Sequence, residues 1–250
     1  MKRISVIILF LIGMVQFGMA EATKAEADKA YQGNQYAQAA EMYEAILTSQ
    51  GESVEVYYNL GNSYYKLKNM AKAILCYERA LLLDPGNSDV RFNLELARSK
   101  TTDKVTPISE VFIVSWVKGL INLRSEAQWA KFAVVTFLLF LMGLGLYIFG
   151  NKLVLRKVGF IGALVCLILT FLTNWFAYEQ KNRLLNCKEA IVMSPTITVK
   201  STPSESGTGL FVLHEGTKVL IEDNSMKGWK EVCLEDGKKG WLPASSIEQI

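Results

Sequence analysis

Residues 57–85 read YYNLGNSYYKLKNMAKAILCYERALLLDP, and they decide the fold of the N-terminal part of the chain. The small residues Gly61 and Ala73 allow two antiparallel helices to approach closely, while leucine and tyrosine side chains fill the space around them. Pro85 ends the second helix, because proline disfavours helical geometry in the residue before it. The stretch therefore predicts a pair of packed helices.

A second copy of this pattern occurs earlier in the chain. Residues 26–48 align with residues 60–82 at an offset of 34, which places Ala39 on Ala73. A fixed period of this size indicates a helical repeat. The fuller copy carries its pattern at Tyr57, Leu60, Gly61, Tyr64, Ala73, Tyr77, Ala80 and Pro85. This spacing resembles the tetratricopeptide repeat, so residues 21–104 are predicted to form an all-α domain of two repeats and a closing helix.

The resemblance implies a concave groove formed by the first helix of each pair. The implied groove residues are Tyr31, Tyr58, Asn59, Asn62, Tyr65 and Lys66. Tyrosine and asparagine suit the capture of an extended peptide, because they offer rigid apolar area, polar tips and amide groups. The alternative for each residue is a solvated position or a contact within the domain. The basic cluster that would bind a terminal carboxylate is not evident.

Three apolar runs punctuate the chain, at residues 4–19, 132–149 and 158–176. The first follows two basic residues and ends in small residues, which is the layout of a secretory signal peptide over residues 1–20. Cleavage after Ala20 is expected, and an uncleaved anchor is the alternative. Both interpretations export the residues that follow.

The later runs predict two transmembrane helices, residues 129–150 and 158–178, because each is long enough to cross one hydrocarbon core. The loop between them, residues 151–157, has three basic residues and no acid. Basic loops stay in the cytoplasm, so the helices are expected to form a hairpin in the inner membrane. Both soluble parts then face the periplasm.

Small residues could let the two transmembrane helices pack closely. They are Gly143, Gly145, Gly159, Gly162 and Ala163. The alternative is that these positions have no packing role, because glycine is common in membrane helices.

Residues 105–128 connect the helical domain to the first predicted span. Within them, residues 111–123 are apolar but too short to cross a membrane, and they contain Lys118. We expect this stretch to lie on the membrane surface, with Trp116 in the interface. The alternative is a buried helix of the soluble domain.

Residues 179–250 predict a small all-β barrel, because five short runs of β-forming residues alternate with turn signals. The runs are centred on Ile197 and Val199, Leu210 to Leu213, Val219 to Ile221, Trp229 to Leu234, and Trp241 and Leu242. Asp236 and Gly237 predict a tight hairpin turn.

The glycine, tryptophan and proline spacing of this segment resembles that of bacterial SH3-like domains. It is carried by Val199, Ser201, Pro203, Gly216, Val219, Gly228, Trp229, Val232, Gly237, Gly240, Trp241 and Pro243. The resemblance implies binding of cell-wall peptide or of another protein, with Trp229 and Trp241 as an aromatic platform. Tryptophans in such a barrel more often pack it, so packing is their expected main role.

Composition excludes several classes of function. The chain has 27 basic and 24 acidic residues, and the basic excess flanks the apolar runs, so nucleic acid is not an expected partner. His214 is the only histidine and is interpreted as a solvated turn residue, while the cysteines lack the spacing of a zinc or redox motif. No catalytic residue, metal ligand or cofactor is predicted, and the chain is not expected to be an enzyme. A disulfide between Cys187 and Cys233 is allowed by export.

The order of parts resembles the BatE-type aerotolerance proteins along the full chain, which makes the predicted fold class a multidomain membrane protein. The resemblance implies an envelope complex with von Willebrand A-domain membrane proteins and a MoxR-type ATPase, which supports growth under oxidative stress. Our first hypothesis is an inner-membrane scaffold that binds exported proteins through the groove and the SH3-like module. The second is a cell-wall sensor that binds peptidoglycan through Trp229 and Trp241.

Overall fold

A computed structural model describes residues 23–106, 108 and 111–250. The predicted signal peptide lies outside the described residues. The helices are α1 Lys24–Gln32, α2 Tyr36–Gln50, α3 Val54–Lys66, α4 Met70–Leu83, α5 Ser88–Arg98, α6 Phe112–Ile121, α7 Glu126–Phe149 and α8 Leu153–Leu185. The strands are β1 Glu189–Val192, β2 Thr196–Lys200, β3 Gly209–His214, β4 Lys218–Asp223, β5 Trp229–Cys233, β6 Lys239–Pro243 and β7 Ile247–Gln249.

Helices α1 to α5 pack in chain order around one core and form the helical domain. Close contact between α3 and α4 depends on Gly61, because a Cβ at this position would lie 2.6 Å from the Tyr77 ring. Asn87 begins the closing helix α5, where its side chain accepts a hydrogen bond from the Val90 N–H at 3.1 Å. The predicted helix pairs and closing helix are therefore present.

Helices α7 and α8 pack against each other as a hairpin, and both are long and apolar enough to span a membrane. Only residues 150–152 connect them, so α8 begins earlier than the predicted span. Arg156 and Lys157, which were placed in the loop, lie in the first turns of this helix. At the other end α8 continues past residue 178 to Leu185.

The five small residues of the hairpin divide into two groups. Gly143, Gly159 and Ala163 lie at the closest approach of the helices, where a Cβ on Gly159 would lie 2.7 Å from a backbone nitrogen of α7. Gly145 and Gly162 have nothing within 4 Å of an added Cβ. Only the first group supports helix packing.

A second contact across the hairpin joins two hydroxyl groups. The Thr170 hydroxyl donates to the Thr136 hydroxyl at 3.0 Å. Thr170 lies on the same side of α8 as Gly159 and Ala163, since positions 159, 163 and 170 follow helical spacing. The hairpin therefore has one defined packing face.

We predict that Gly159→Val destabilises the hairpin and that Gly162→Val does not. The valine side chain at 159 must push apart two backbones, and such overpacking typically costs about 1–3 kcal/mol. Thermal unfolding of the detergent-solubilised chain measures the difference. Equal losses in both variants would contradict the assigned packing face.

Helix α6 is exposed over most of its length, with exposed fractions of 80% at Phe112 and 58% at Trp116. This exposure contradicts the alternative of a buried helix in the soluble domain. The C-terminal end of α6 is fixed to α8, because the buried Gln180 amide donates to the Ile121 carbonyl at 2.9 Å. The Trp129 indole donates to the same carbonyl at 2.9 Å. Both bonds satisfy a carbonyl that a helix end leaves without a partner.

The β domain is one antiparallel sheet with the strand order β3-β2-β6-β5-β4-β1-β7. Residues from every strand surround a single core, so the sheet curls around it. The predicted turn joins β5 to β6, and Gly237 has the positive φ of +85° that such turns favour. The five predicted strands correspond to β2 to β6, whereas β1 and β7 were not predicted.

Strand β1 links the β domain to the helical domain, because its two faces belong to two cores. Ala190 and Val192 lie in the core of the β domain, while Ile191 lies in the core of the helical domain. All three are 0% exposed, so this strand lacks the alternation of polar and apolar residues from which strands are usually recognised.

Buried charges cross the same interface. Glu78 of α4, with a side chain 7% exposed, pairs with Lys218 of β4 at 3.0 Å and also with Arg98. Lys218 pairs in turn with Glu189 of β1 at 2.8 Å. Burial alone would lower the pKa of Lys218, but the charges of Glu78 and Glu189 outweigh it and raise the pKa. The ammonium group therefore stays charged, and removing one partner of such a pair typically costs about 3–5 kcal/mol.

Candidate partner-binding site

The concave side of the helical domain holds a pocket of about 280 Å³ between α1, α3, α4 and α5. Five predicted groove residues line it, namely Tyr31, Tyr58, Asn62, Tyr65 and Lys66. The remaining lining residues are Tyr77, Asn93 and Leu96. Because four helices contribute, the pocket depends on the packing of the whole domain.

Asn62 is held in the pocket through its side-chain oxygen. The Tyr77 hydroxyl and the Asn93 amide each donate to this oxygen at 2.8 Å. The Asn62 Nδ2 group makes no hydrogen bond to the described part of the chain, so it can donate to a bound peptide carbonyl. The Asn93 amide also donates to the Tyr58 hydroxyl at 3.2 Å, which leaves the proton of that hydroxyl for a ligand.

The tyrosines give the pocket a neutral aromatic wall. Burial raises the pKa of Tyr31, and the neighbouring Tyr36 and Tyr58 raise it further. Burial is also the main cause of the raised pKa of Tyr77. Both phenols therefore remain neutral at physiological pH. The exposed Lys66 supplies the positive charge beside them.

Asn59 lies outside this pocket, although it was predicted with the other groove residues. Its amide donates to the Asp28 carboxylate at 3.1 Å, and the Tyr43 hydroxyl donates to the same oxygen at 2.6 Å. Burial alone would raise the pKa of Asp28, but these bonds and Lys24 outweigh it and lower the pKa. Asn59 thus helps to fix α1 on α3, and the charged Asp28 disfavours a terminal carboxylate nearby.

Three lining residues were not predicted as groove residues. Asn93 and Leu96 come from the closing helix, and their spacing of three places them on one face of α5. That spacing was a usable signal, since α5 follows directly on the second repeat. Tyr77 was assigned to helix packing, and in the structure its ring packs on Gly61 while its hydroxyl holds Asn62.

The helices that contribute most of the pocket match a known family model. Residues 54–87 match the model of the tetratricopeptide repeat. They form a tetratricopeptide repeat. No curated protein matches the chain. Repeats of this family typically act as non-catalytic scaffolds for protein–protein contacts, and this one supplies Tyr58, Asn62, Tyr65, Lys66 and Tyr77.

Trp229 and Trp241 form a second aromatic surface, outside the core of the β domain. Trp229 pairs with Pro243 and Trp241 pairs with Glu231 across β5 and β6, so both rings lie on the same face. The core residue Val232 lies on the opposite face of β5 and is 0% exposed. Packing of the barrel was their expected main role, and in the structure both residues are half-buried and lie outside the buried core.

His214 is not a solvated turn residue. Its backbone N–H donates to Asp103 Oδ2 at 2.7 Å, and its ring Nδ1 lies 2.8 Å from Asp103 Oδ1. The Thr217 hydroxyl donates to the same carboxylate at 2.7 Å. These bonds hold the segment after the tetratricopeptide repeat against the turn between β3 and β4.

Metal and disulfide chemistry is not found among the residues the structure describes. No group of three histidine, cysteine or acidic side chains there could hold a metal ion. Cys187 and Cys233 are free thiols, so the disulfide that export would allow is not formed.

We predict that ionisation of Asp103 makes the free energy of unfolding depend on pH in the acid range. Burial would raise the pKa of this carboxyl, but the hydrogen bonds from His214 and Thr217 outweigh it and lower the pKa below its ordinary value of 3.8. Because the pKa is lower in the folded chain, the ionised carboxyl stabilises the fold above about pH 4. This stabilisation is lost as the pH falls through the folded-state pKa of Asp103. Asp103→Asn should therefore destabilise the chain by about 1–3 kcal/mol at neutral pH, and this difference should shrink as the pH falls through the folded-state pKa of Asp103.

Urea unfolding from pH 7 to pH 2 measures this difference. Glu215→Gln is the matched control, because Glu215 is an exposed carboxyl in the same turn. A constant gap between Asp103→Asn and the parent chain at every pH would contradict the prediction.

Proposed function

We propose that this chain is an inner-membrane scaffold that binds exported or membrane proteins through its tetratricopeptide-repeat groove. The pocket on the concave side carries this proposal. Its tyrosine wall can hold an apolar side chain, while Asn62 Nδ2 can donate to the peptide backbone and Lys66 can pair with an acidic residue. An extended peptide segment of a partner protein satisfies all three groups.

The membrane hairpin supports an anchored rather than a free scaffold. Lys152, Arg156 and Lys157 cluster at one end of the hairpin. By the positive-inside rule this end belongs in the cytoplasm, which leaves the helical domain and the β domain in the periplasm. A signal peptide over residues 1–20 would place the N-terminal side there as well.

The partners follow from the resemblance to BatE-type aerotolerance proteins. In this proposal the chain works in an envelope complex with von Willebrand A-domain membrane proteins and a MoxR-type ATPase, under oxidative stress. The β domain serves as an SH3-like module. Its single curled antiparallel sheet supports that assignment, and no catalytic role is proposed for either domain.

A photo-crosslinking experiment tests the groove. With p-benzoylphenylalanine in place of Leu96, we expect adducts with a protein partner in the intact membrane, because Leu96 lines the pocket. The same probe at Glu95 is the control, since this neighbouring residue is exposed but does not line the pocket. Adducts should fall about tenfold with Tyr65→Ala, which corresponds to ~1.4 kcal/mol of binding.

Matched charge variants sharpen this test. Lys66→Glu should reduce the adducts, whereas Lys100→Glu should not, because Lys100 is exposed outside the pocket. Equal adducts from positions 95 and 96, or adducts unchanged by both Tyr65→Ala and Lys66→Glu, would reject the groove as the binding site.

A second candidate function is recognition of cell-wall peptide. The location of Trp229 and Trp241 on one outer face of the sheet favours it, because both rings are outside the core and can contact a ligand. In this case the protein would be a cell-wall sensor that binds peptidoglycan through the SH3-like module.

Sedimentation with purified peptidoglycan tests the second candidate. The full-length chain in detergent should pellet with the polymer, and the double variant Trp229→Ala/Trp241→Ala should lose at least about tenfold in the bound fraction, as expected when two central aromatic contacts are removed. Trp116→Ala is the matched control, because this exposed tryptophan lies on α6. If the parent chain stays in the supernatant, the sensor hypothesis fails and the scaffold remains.

A further inference from the structure

An open groove of about 800 Å³ lies where the membrane hairpin meets the soluble domains. One wall is helix α6, and the other is the last three turns of α8, from Trp175 to Arg183, with Asn186 just beyond the helix. Residues 187–189 and Leu220 close its far end. None of these residues lines the tetratricopeptide-repeat pocket, so the two sites are separate.

Part of the groove lining is apolar. Ile113, Val114 and Val117 of α6 belong to it, together with Trp175 of α8. The apolar surface continues onto Phe112, which is 80% exposed. Apolar area of this kind is stabilised by contact with an acyl chain, by about 0.8 kcal/mol for each buried methylene group.

The rest of the groove lining is polar and carries an excess of positive charge. Lys118, Arg183 and Lys188 line it together with two carboxylates, Glu179 and Glu189. Glu189 lies between two cations, because its carboxylate is 2.8 Å from the Lys218 ammonium and 4.0 Å from the Arg183 guanidinium. Two or more basic groups around one site suit a phosphate, which accepts charge-assisted hydrogen bonds.

The position of the groove matches the border of a bilayer. Trp175 and Tyr178 end the apolar part of α8, and such rings favour the headgroup level. Helix α8 then continues for seven residues to Leu185, or about 10 Å at 1.5 Å per residue. Gln180 fixes the end of α6 just above this border. The groove therefore lies at the level where acyl chains meet headgroups.

We propose that this groove binds one phospholipid of the leaflet that contacts α6. The acyl chain packs against Ile113, Val114 and Val117, and the phosphate lies near Arg183 and Lys188. Arg183 is already positioned for this, because its guanidinium donates to the Asn122 side-chain oxygen at 3.3 Å. The site goes beyond the proposed scaffold function and does not depend on what the repeat binds.

Native mass spectrometry of the full-length chain in detergent tests the site, with phosphatidylglycerol as the probe. One lipid should remain bound to each chain. Lys188→Glu should reduce the bound fraction about tenfold, because it opposes the phosphate charge, while the matched control Lys227→Glu should leave it unchanged. Lys227 is an exposed lysine of the β domain that lies outside the groove.

A second variant acts through shape and leaves every charge in place. Val114→Trp should fill the apolar wall and reduce lipid retention to a similar extent, and circular dichroism checks that the variant is folded. Glycerol phosphate, which has the headgroup phosphate but no acyl chain, should not displace the lipid. The proposal is overturned if the parent chain retains no lipid, if Lys188→Glu and Val114→Trp both retain it fully, or if glycerol phosphate displaces it.

Discussion

The contact between α4 and strand β1 is the constraint on which the rest of the structure depends. Ile191 is buried in the core of the helical domain although its strand belongs to the β domain. Beside it, the buried carboxylate of Glu78 pairs with the ammonium group of Lys218 at 3.0 Å. Separating the domains would expose an apolar strand face and break a buried ion pair. The two soluble domains therefore form one body.

This contact determines which side of the tetratricopeptide repeat is available to a partner. Successive residues of a helix point about 100° apart, so Tyr77 and Glu78 of α4 serve different neighbours. Tyr77 lines the pocket, while Glu78 and Arg79 contact the β domain, where Arg79 pairs with Glu248 at 3.1 Å. No residue of the β domain lines the pocket among those the structure describes. The β domain thus occupies one side of the repeat and leaves the concave side open.

The elements that the sequence predicts are those whose signal is local. The 34-residue offset identified the helix pairs, and the long apolar runs identified both helices that are long and apolar enough to span a membrane. Strand β1 could not be recognised, because burial on both faces removes the alternation that marks a strand. Strand β7 has only three residues.

Long-range contacts were also beyond the reach of the sequence. In the sequence, Glu78, Lys218 and Gln180 look like ordinary solvent-exposed residues. Their burial depends on contacts with elements far away along the chain. The pocket was largely predictable because the repeat fixes which helix faces turn inward, and five of the six groove residues line it. Asn59 was the exception, since its partner Asp28 belongs to another helix. The sequence did not show on which face of the sheet Trp229 and Trp241 lie, because this depends on which face of β5 is buried.

The connections to the hairpin extend the same constraint to the membrane. On one side, the segment after α5 is fastened to the β domain through Asp103, and the Ile108 N–H donates to the Glu235 carbonyl at 3.0 Å. On the other side, only residues 186–188 separate α8 from β1. Because neither connection is a long free linker, the soluble body is held close to the end of α8. In the proposed scaffold, a partner bound in the tetratricopeptide-repeat pocket would therefore be held near the bilayer.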